Sequence, residues 1–283
     1  MSLIGSTGVI ISEIVLSLYP ILIKVIPTNF DTQLLTRFGF FTLGALFFYT
    51  NQEINIARSL LYGFLTIFHV SASYIAFSNL SAGTAMALFY TYPIMNIIAG
   101  ILLFGESISL ASAIFILIGF IGTALISQEI QEEDVKGENP IELPKSVAIW
   151  AGILAAFSET LMYIVVRNVK TKNPIDSMLQ LYPGAFVIFA IYLFTSGKIS
   201  SIDTNPKNLM NLGIFNLAIG FAGYCLRFYS INNVSTVVFS LLSFIGVLSS
   251  YAFGNLFVNE RSSWKTYLGA ILIATASSGV VKI

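Results

Sequence analysis

Residues 78–106 read SNLSAGTAMALFYTYPIMNIIAGILLFGE, and residues 232–260 read NNVSTVVFSLLSFIGVLSSYAFGNLFVNE. Each begins with a polar turn, continues as an apolar stretch long enough to cross a bilayer, and closes on a glutamate, Glu106 or Glu260. Gly100 in the first copy is answered by Gly254 in the second, so the register is kept to the end. Two such copies in one chain mark an internal duplication of an apolar, helical unit.

Composition agrees. Hydrophobic residues make up 56% of the chain and charged residues only 10%, against about 25% charged in a soluble domain. Such a chain cannot hide its apolar side chains in one water-facing fold, so lipid must solvate them. The net charge of zero provides no basic footprint for nucleic acid. The single cysteine, Cys225, lies in an apolar run, which excludes a disulfide framework and a thiolate metal site; no cofactor is expected. The first apolar run contains Glu13 and continues past Pro20 toward Lys24, and is read as a membrane span rather than a cleaved leader.

Crossing roughly 30 Å of hydrocarbon takes about 20 helical residues. Polar punctuation predicts ten spans, at 5–26, 32–50, 57–78, 82–104, 109–127, 147–168, 177–196, 208–230, 234–257 and 264–281. Links such as Pro27-Thr28-Asn29-Phe30-Asp31 are short enough to make consecutive spans antiparallel neighbours. The one generous connection holds Glu129, Glu132, Glu133, Asp134, Glu138 and Glu142 and reads as a solvated joint. The chain thus divides into a first five-helix repeat at 1–127, an acidic linker at 128–146 and a second repeat at 147–283. The halves also match elsewhere: Ser12-Glu13 is answered by Ser158-Glu159, Lys24 by Lys170, and Gly39 by Gly184. Five is odd, so the second half enters the bilayer from the opposite side. The expected fold is an all-α integral membrane protein of ten transmembrane helices, built as two inverted five-helix repeats.

A charge at mid-bilayer costs roughly 2.5–3.5 kcal/mol even on the gentler insertion scales, so it is paired, snorkels or lines a wet cavity. Glu13 and Glu159 are the symmetry-related pair, expected to bind a cationic group or exchange a proton, or else to pair with Arg37, Arg227 or the backbone. His69, the lone histidine, shares a polar stripe with Ser73 and Tyr74 and is read as a proton relay or a neutral packing group. Arg227, beside Tyr224, is placed to hold a carboxylate or to snorkel. Tyr90, Tyr92, Tyr163, Tyr182 and Tyr251 fall inside spans; Tyr90 and Tyr163, with Asn96, are candidates to line a polar cavity, ordinary interhelical packing being the alternative. Arg37 reads as structural, paired with a helix end or an acidic side chain; Pro93 as a hinge; Glu106 and Glu260 as carboxylates compensating the start of the next helix.

One histidine and no aspartate within a predicted span make an intramembrane enzyme a poor reading. A Gly-x-x-x-x-Gly-Lys phosphate loop is missing, so any driving force is a gradient or the solute itself. A carrier is the reading favoured, with a channel-like facilitator or a membrane scaffold as the alternatives.

Arg37 after a proline-led turn, Ala76-Phe77-Ser78-Asn79-Leu80-Ser81-Ala82-Gly83-Thr84-Ala85, Pro93, and Phe104-Gly105-Glu106 recur in an order that resembles the ten-helix drug/metabolite transporter superfamily, in particular its EamA-like members. The second copy departs from the pattern with Val247 for Pro93 and Asn259 before Glu260. The resemblance implies a multi-pass protein of the cell membrane that exports or exchanges small organic solutes such as amino acids, their derivatives or cationic drugs, with protons as a candidate coupling partner and a monomer or homodimer as the assembly. It also implies cytoplasmic termini, whereas the Lys and Arg count near helix ends slightly favours the opposite.

Overall fold

The computed structural model describes residues 2–48, 55–127, 143–169, 173–258 and 263–279. Glu260, Lys170 and the acidic run of the linker lie outside these. The described residues form ten helical rods with no strand among them: α1 (Leu3–Val25), α2 (Phe30–Phe47), α3 (Ile56–Asn79), α4 (Ala82–Phe104), α5 (Leu110–Ser127), α6 (Lys145–Val169), α7 (Pro174–Thr195), α8 (Pro206–Asn233), α9 (Thr236–Val258) and α10 (Trp264–Ser278). By length and composition α1, α3, α4, α6, α7, α8 and α9 can each cross a membrane, and α5 is a shorter apolar helix. α2 carries Asp31, Gln33 and Arg37, which lower its hydropathy, and α10 has 15 residues.

The polar turns of the duplicated sequence become helix caps. Ser81 and Ser235 accept backbone N–H groups at the starts of α4 and α9, and Asn29 and Asn173 do the same for α2 and α7. Gly105, with φ of 65°, closes α4 in a left-handed conformation that disfavours a side chain.

Helix neighbours come in sets related by the duplication. The packing of α1 on α8 is repeated by α6 on α3, and that of α3 on α7 by α8 on α2. α2 with α7, α4 with α9, and α5 with α10 are self-paired. The first segment of α4 lies against the second segment of α9, and the reverse also holds, so the two run antiparallel across a pseudo-twofold axis.

Polarity is inverted relative to a soluble protein. Leu3, Phe47, Phe64, Leu102, Trp150, Phe194, Leu256 and Trp264 face outward, while Glu13, Arg37, His69, Glu159 and Arg227 are buried. Only lipid tails make that exterior favourable.

Three rods are interrupted. α1 breaks at Ser17-Leu18 ahead of Pro20, and α4 breaks at Tyr90-Thr91 ahead of Pro93, because proline offers no N–H and its ring clashes with the carbonyl four residues back. α9 breaks at Phe244, the symmetry mate of Tyr90, although Val247 stands where the proline would be. α8 contains a π-helical stretch at Phe215–Phe221. Pro183, by contrast, sits inside an unbroken α7.

Outside the spans, the segment between α7 and α8 docks on the start of α2: the Asp203 N–H donates to Thr32 Oγ1 at 2.8 Å. Donation from the Asn208 side chain and the Asn205 N–H holds the Asp203 carboxyl below the usual range.

Candidate functional site

The breaks in α4 and α9 flank a charged cluster where the halves meet. Glu13 from α1 and Glu159 from α6 are bound to the same guanidinium, that of Arg227 on α8. Arg227 donates to Glu159 Oε1 through Nε at 2.9 Å and Nη2 at 2.7 Å, and through Nη1 to Glu13 Oε1. Glu13 is 0% exposed, and Glu159 and Arg227 are 2% exposed. Burying three charges without solvent is tolerable only because each meets an opposite charge and most of their remaining hydrogen-bonding capacity is used.

Glu13 is satisfied on both oxygens. Tyr90 donates to Oε2, and Tyr92 and Ser243 donate to Oε1 at 3.1 and 3.0 Å. The helix breaks place these donors: Tyr90 lies in the α4 break, Tyr92 opens the segment after it, and Ser243 ends the first segment of α9. Gly246 makes room for Tyr90, since a Cβ there would fall on the Tyr90 hydroxyl. The Arg227 guanidinium also lies over the rings of Tyr92 and Phe239, 5.0 and 5.3 Å from their centroids.

Glu159 is held differently. Its second oxygen faces His69 Nε2 at 3.2 Å, while His69 Nδ1 lies 3.1 Å from Ser158 Oγ. That carboxylate oxygen meets no hydrogen-bond partner among the described residues, so the His69–Glu159 approach is a close one without a hydrogen bond.

Among the sequence candidates, the structure brings Glu13, Glu159, His69, Tyr90 and Arg227 into one constellation. Tyr74 and Tyr224 lie apart from it, with their rings around Arg37. Tyr163 is hydrogen-bonded to Thr236 Oγ1 at 2.8 Å and accepts from Arg167 Nη1 at 2.9 Å, which places it in a separate cluster. Asn96 is fully buried and its amide meets no hydrogen-bond partner among the described residues. Pro93 lies at the start of the second segment of α4.

Two expectations change. Glu106 does not serve the helix that follows it. Its carboxylate pairs with Arg167 of α6 and accepts the Thr236 N–H of α9 at 3.0 Å, capping a helix of the other half. Arg37 has no acidic partner: among the described residues it makes no ion pair, and its guanidinium is surrounded by aromatic rings. Sequence reasoning missed Ser243 as a ligand of Glu13, since the matching position of the first copy is Phe89. Tyr92 is visible in the sequence only as one of several mid-span tyrosines.

Comparison with known proteins places this geometry in context. A profile described as the EamA-like transporter family matches the chain twice, over residues 3–128 and 146–281. An uncharacterised transporter of Bacillus subtilis (strain 168), YxxF, is 24% identical over 77% of this chain and 68% of its own length. A WAT1-related chloroplastic protein of Arabidopsis thaliana is 28% identical over 69% of this chain, and the match spans 47% of the plant protein. One crystal structure superposes with a TM-score of 0.69 over 99% of this chain and 97% of its own at 12% identity, which shows a shared fold.

Proposed function

Because the chain belongs to the EamA-like transporter family, we propose that it is a secondary carrier that moves a small organic metabolite across the cell membrane by alternating access, as an exporter or exchanger. Amino acids, their derivatives and organic cations are the solutes to test first, with cytoplasmic termini as the orientation. The observation that carries this reading is the convergence of Glu13 and Glu159, one from each inverted repeat, on Arg227. A site shared by two symmetry-related halves is where a rocking motion exchanges one set of contacts for another.

The chemistry follows from the charges. Two carboxylates on one guanidinium leave the cluster one negative charge in excess, which a proton or a cationic group on the solute offsets. His69 Nε2 lies 3.2 Å from the Glu159 oxygen that Arg227 does not bind, so a change in Arg227 pairing alters the charge that His69 faces. All four residues are at most 2% exposed, and a solute reaches them only when the halves part; the broken rods α1, α4 and α9 are the elements that yield with least loss of backbone hydrogen bonding.

The test is uptake of amino acids and organic cations into proteoliposomes, with and without an imposed pH gradient, comparing wild type with Glu13→Gln. Gradient-dependent uptake that the variant loses is the expected result. Uptake indifferent to the gradient and retained by Glu13→Gln makes the protein a facilitator with Glu13 as scaffold.

A further inference from the structure

Arg227 is saturated by two carboxylates, but the other buried guanidinium is not. Arg37, on α2, is 3% exposed. Its guanidinium carbon lies 4.3 Å from the Tyr19 ring centroid, 5.2 Å from Tyr224, 5.3 Å from Phe41 and 5.6 Å from Tyr74. Ring faces and phenols attract a cation, but they do not neutralise it as a carboxylate does. Two polar atoms of this cage are buried without a hydrogen-bond partner: Arg37 Nε and the Tyr19 hydroxyl. Both are donors, and a buried donor left unpaired costs about 1–3 kcal/mol. Tyr19 is given its place by Gly220, where a Cβ would fall on the hydroxyl.

Arg37 and Tyr19 line a cavity of about 30 Å³ that is also lined by Tyr224, His69, Tyr90 and Arg227. That is the volume of one or two waters, or of a single small functional group. The cavity is thus bordered by a guanidinium that has no ion-pair partner, donates to the phenols around it and keeps Nε free, and by the Arg227 cluster with its two carboxylates. The group that fits the first border is a planar anion able to accept several N–H and O–H bonds at once.

We propose that Arg37, with the Tyr19 hydroxyl, is the subsite for a carboxylate carried by the transported solute, apart from the Glu13–Arg227–Glu159 cluster. This deepens the carrier reading and rests on it. Guanidinium and carboxylate meet in two parallel hydrogen bonds, which fixes the orientation of the solute in the cavity, and the aromatic cage excludes the water that would otherwise compete.

The experiment uses the purified full-length protein in detergent and matched probes: a panel of small amino and organic acids, and the same compounds as primary amides. Thermal unfolding is followed with increasing probe. Expected are stabilisation by acids and not by their amides, weakening of the apparent affinity by about tenfold to a hundredfold in Arg37→Gln, and partial retention in Arg37→Lys. Arg37→Lys keeps a cation in the cage and secures a folded variant if Arg37→Gln unfolds; Tyr19→Phe, which keeps the ring and removes the donor, is expected to weaken acids selectively. Acids that stabilise Arg37→Lys and Tyr19→Phe as well as wild type overturn the subsite, as does a wild type that acids do not stabilise or stabilise no better than amides. The carrier reading is judged separately, on proteoliposome flux. Flux of acids that these variants leave unchanged retains the carrier and removes the subsite.

Discussion

Glu106, in the turn that ends α4, is ion-paired with Arg167 near the end of α6, so the two halves are fastened to each other at one end of the molecule. Arg167 also donates to the carbonyls of Ile231 and Val234 at 3.1 and 3.2 Å, and the second oxygen of Glu106 accepts the Thr236 N–H. One carboxylate and one guanidinium therefore join the ends of α4, α6 and α8 to the start of α9. Glu106→Gln is expected to lower stability by about 1.5–3 kcal/mol, the value of a charged hydrogen bond in a partly buried setting. Hydrogen–deuterium exchange in the first turn of α9 should rise with it. Unchanged exchange at Thr236 in the variant would show that the pair does not hold that end.

The contact between Tyr90 and Gly246 gives a second prediction. Gly246→Ala drives a methyl into the Tyr90 hydroxyl, which must then leave Glu13. Overpacking of this kind costs about 1–3 kcal/mol. Because Tyr90→Leu removes the same hydroxyl, the two substitutions should be strongly non-additive in a double-mutant cycle. Simple additivity in thermal unfolding would mean that Gly246 serves some other contact.

Symmetry mates need not be equivalent, and two glycines test that. A Cβ on Gly184 of α7 would fall on the Ser59 carbonyl of α3, backbone against backbone, whereas a Cβ on Gly39 of α2 would meet the Phe186 ring at 3.4 Å. The α3–α7 contact is a close approach that only small residues permit, since Gly63 meets Gly184 and Ala185 in the same way. Gly184→Ala should lower the yield of folded protein or its stability by more than about 2 kcal/mol, while Gly39→Ala stays within about 1 kcal/mol. Equal losses at both positions would contradict the packing described.

How far the sequence carries depends on what periodicity and duplication encode. The ten helices, the polar turns at Ser81 and Ser235 that become caps, and the hinge at Pro93 are local consequences of residue type and are legible in the one-dimensional pattern, whereas the break ahead of Pro20, the unbroken α7 at Pro183 and the break at Phe244 are not. The symmetric pair Glu13 and Glu159 is legible in the same pattern. That both land on Arg227 is not, because Arg227 has no charged mate in the first half: the matching position is Ser73. The cage around Arg37 gathers Tyr19, Phe41, Tyr74 and Tyr224 from four helices, and no spacing within one helix announces it. Glu106 misleads for a related reason. The helix that follows it in sequence is α5, but the amide it reaches is that of Thr236, 130 residues away.

The shared guanidinium supplies a test that separates folding from function. Arg227→Gln leaves Glu13 and Glu159 buried and facing each other without a counter-ion, and loss of one partner from a buried ion pair costs about 3–5 kcal/mol. Removing the whole charged set is a different matter, because an apolar or neutral replacement of a buried ion cluster is often close to neutral for stability. The triple variant Arg227→Gln, Glu13→Gln, Glu159→Gln should therefore unfold at a higher temperature than Arg227→Gln alone, since the amide introduced in place of the Glu13 carboxylate keeps an acceptor for Tyr92 and Ser243. Its uptake in proteoliposomes should nevertheless be lost, because neither a proton nor a cationic group has a carboxylate to meet. A triple variant that is both stable and transport-competent would relegate the cluster to architecture, and one no more stable than Arg227→Gln would mean that the packing of α1, α6 and α8 depends on the charges themselves.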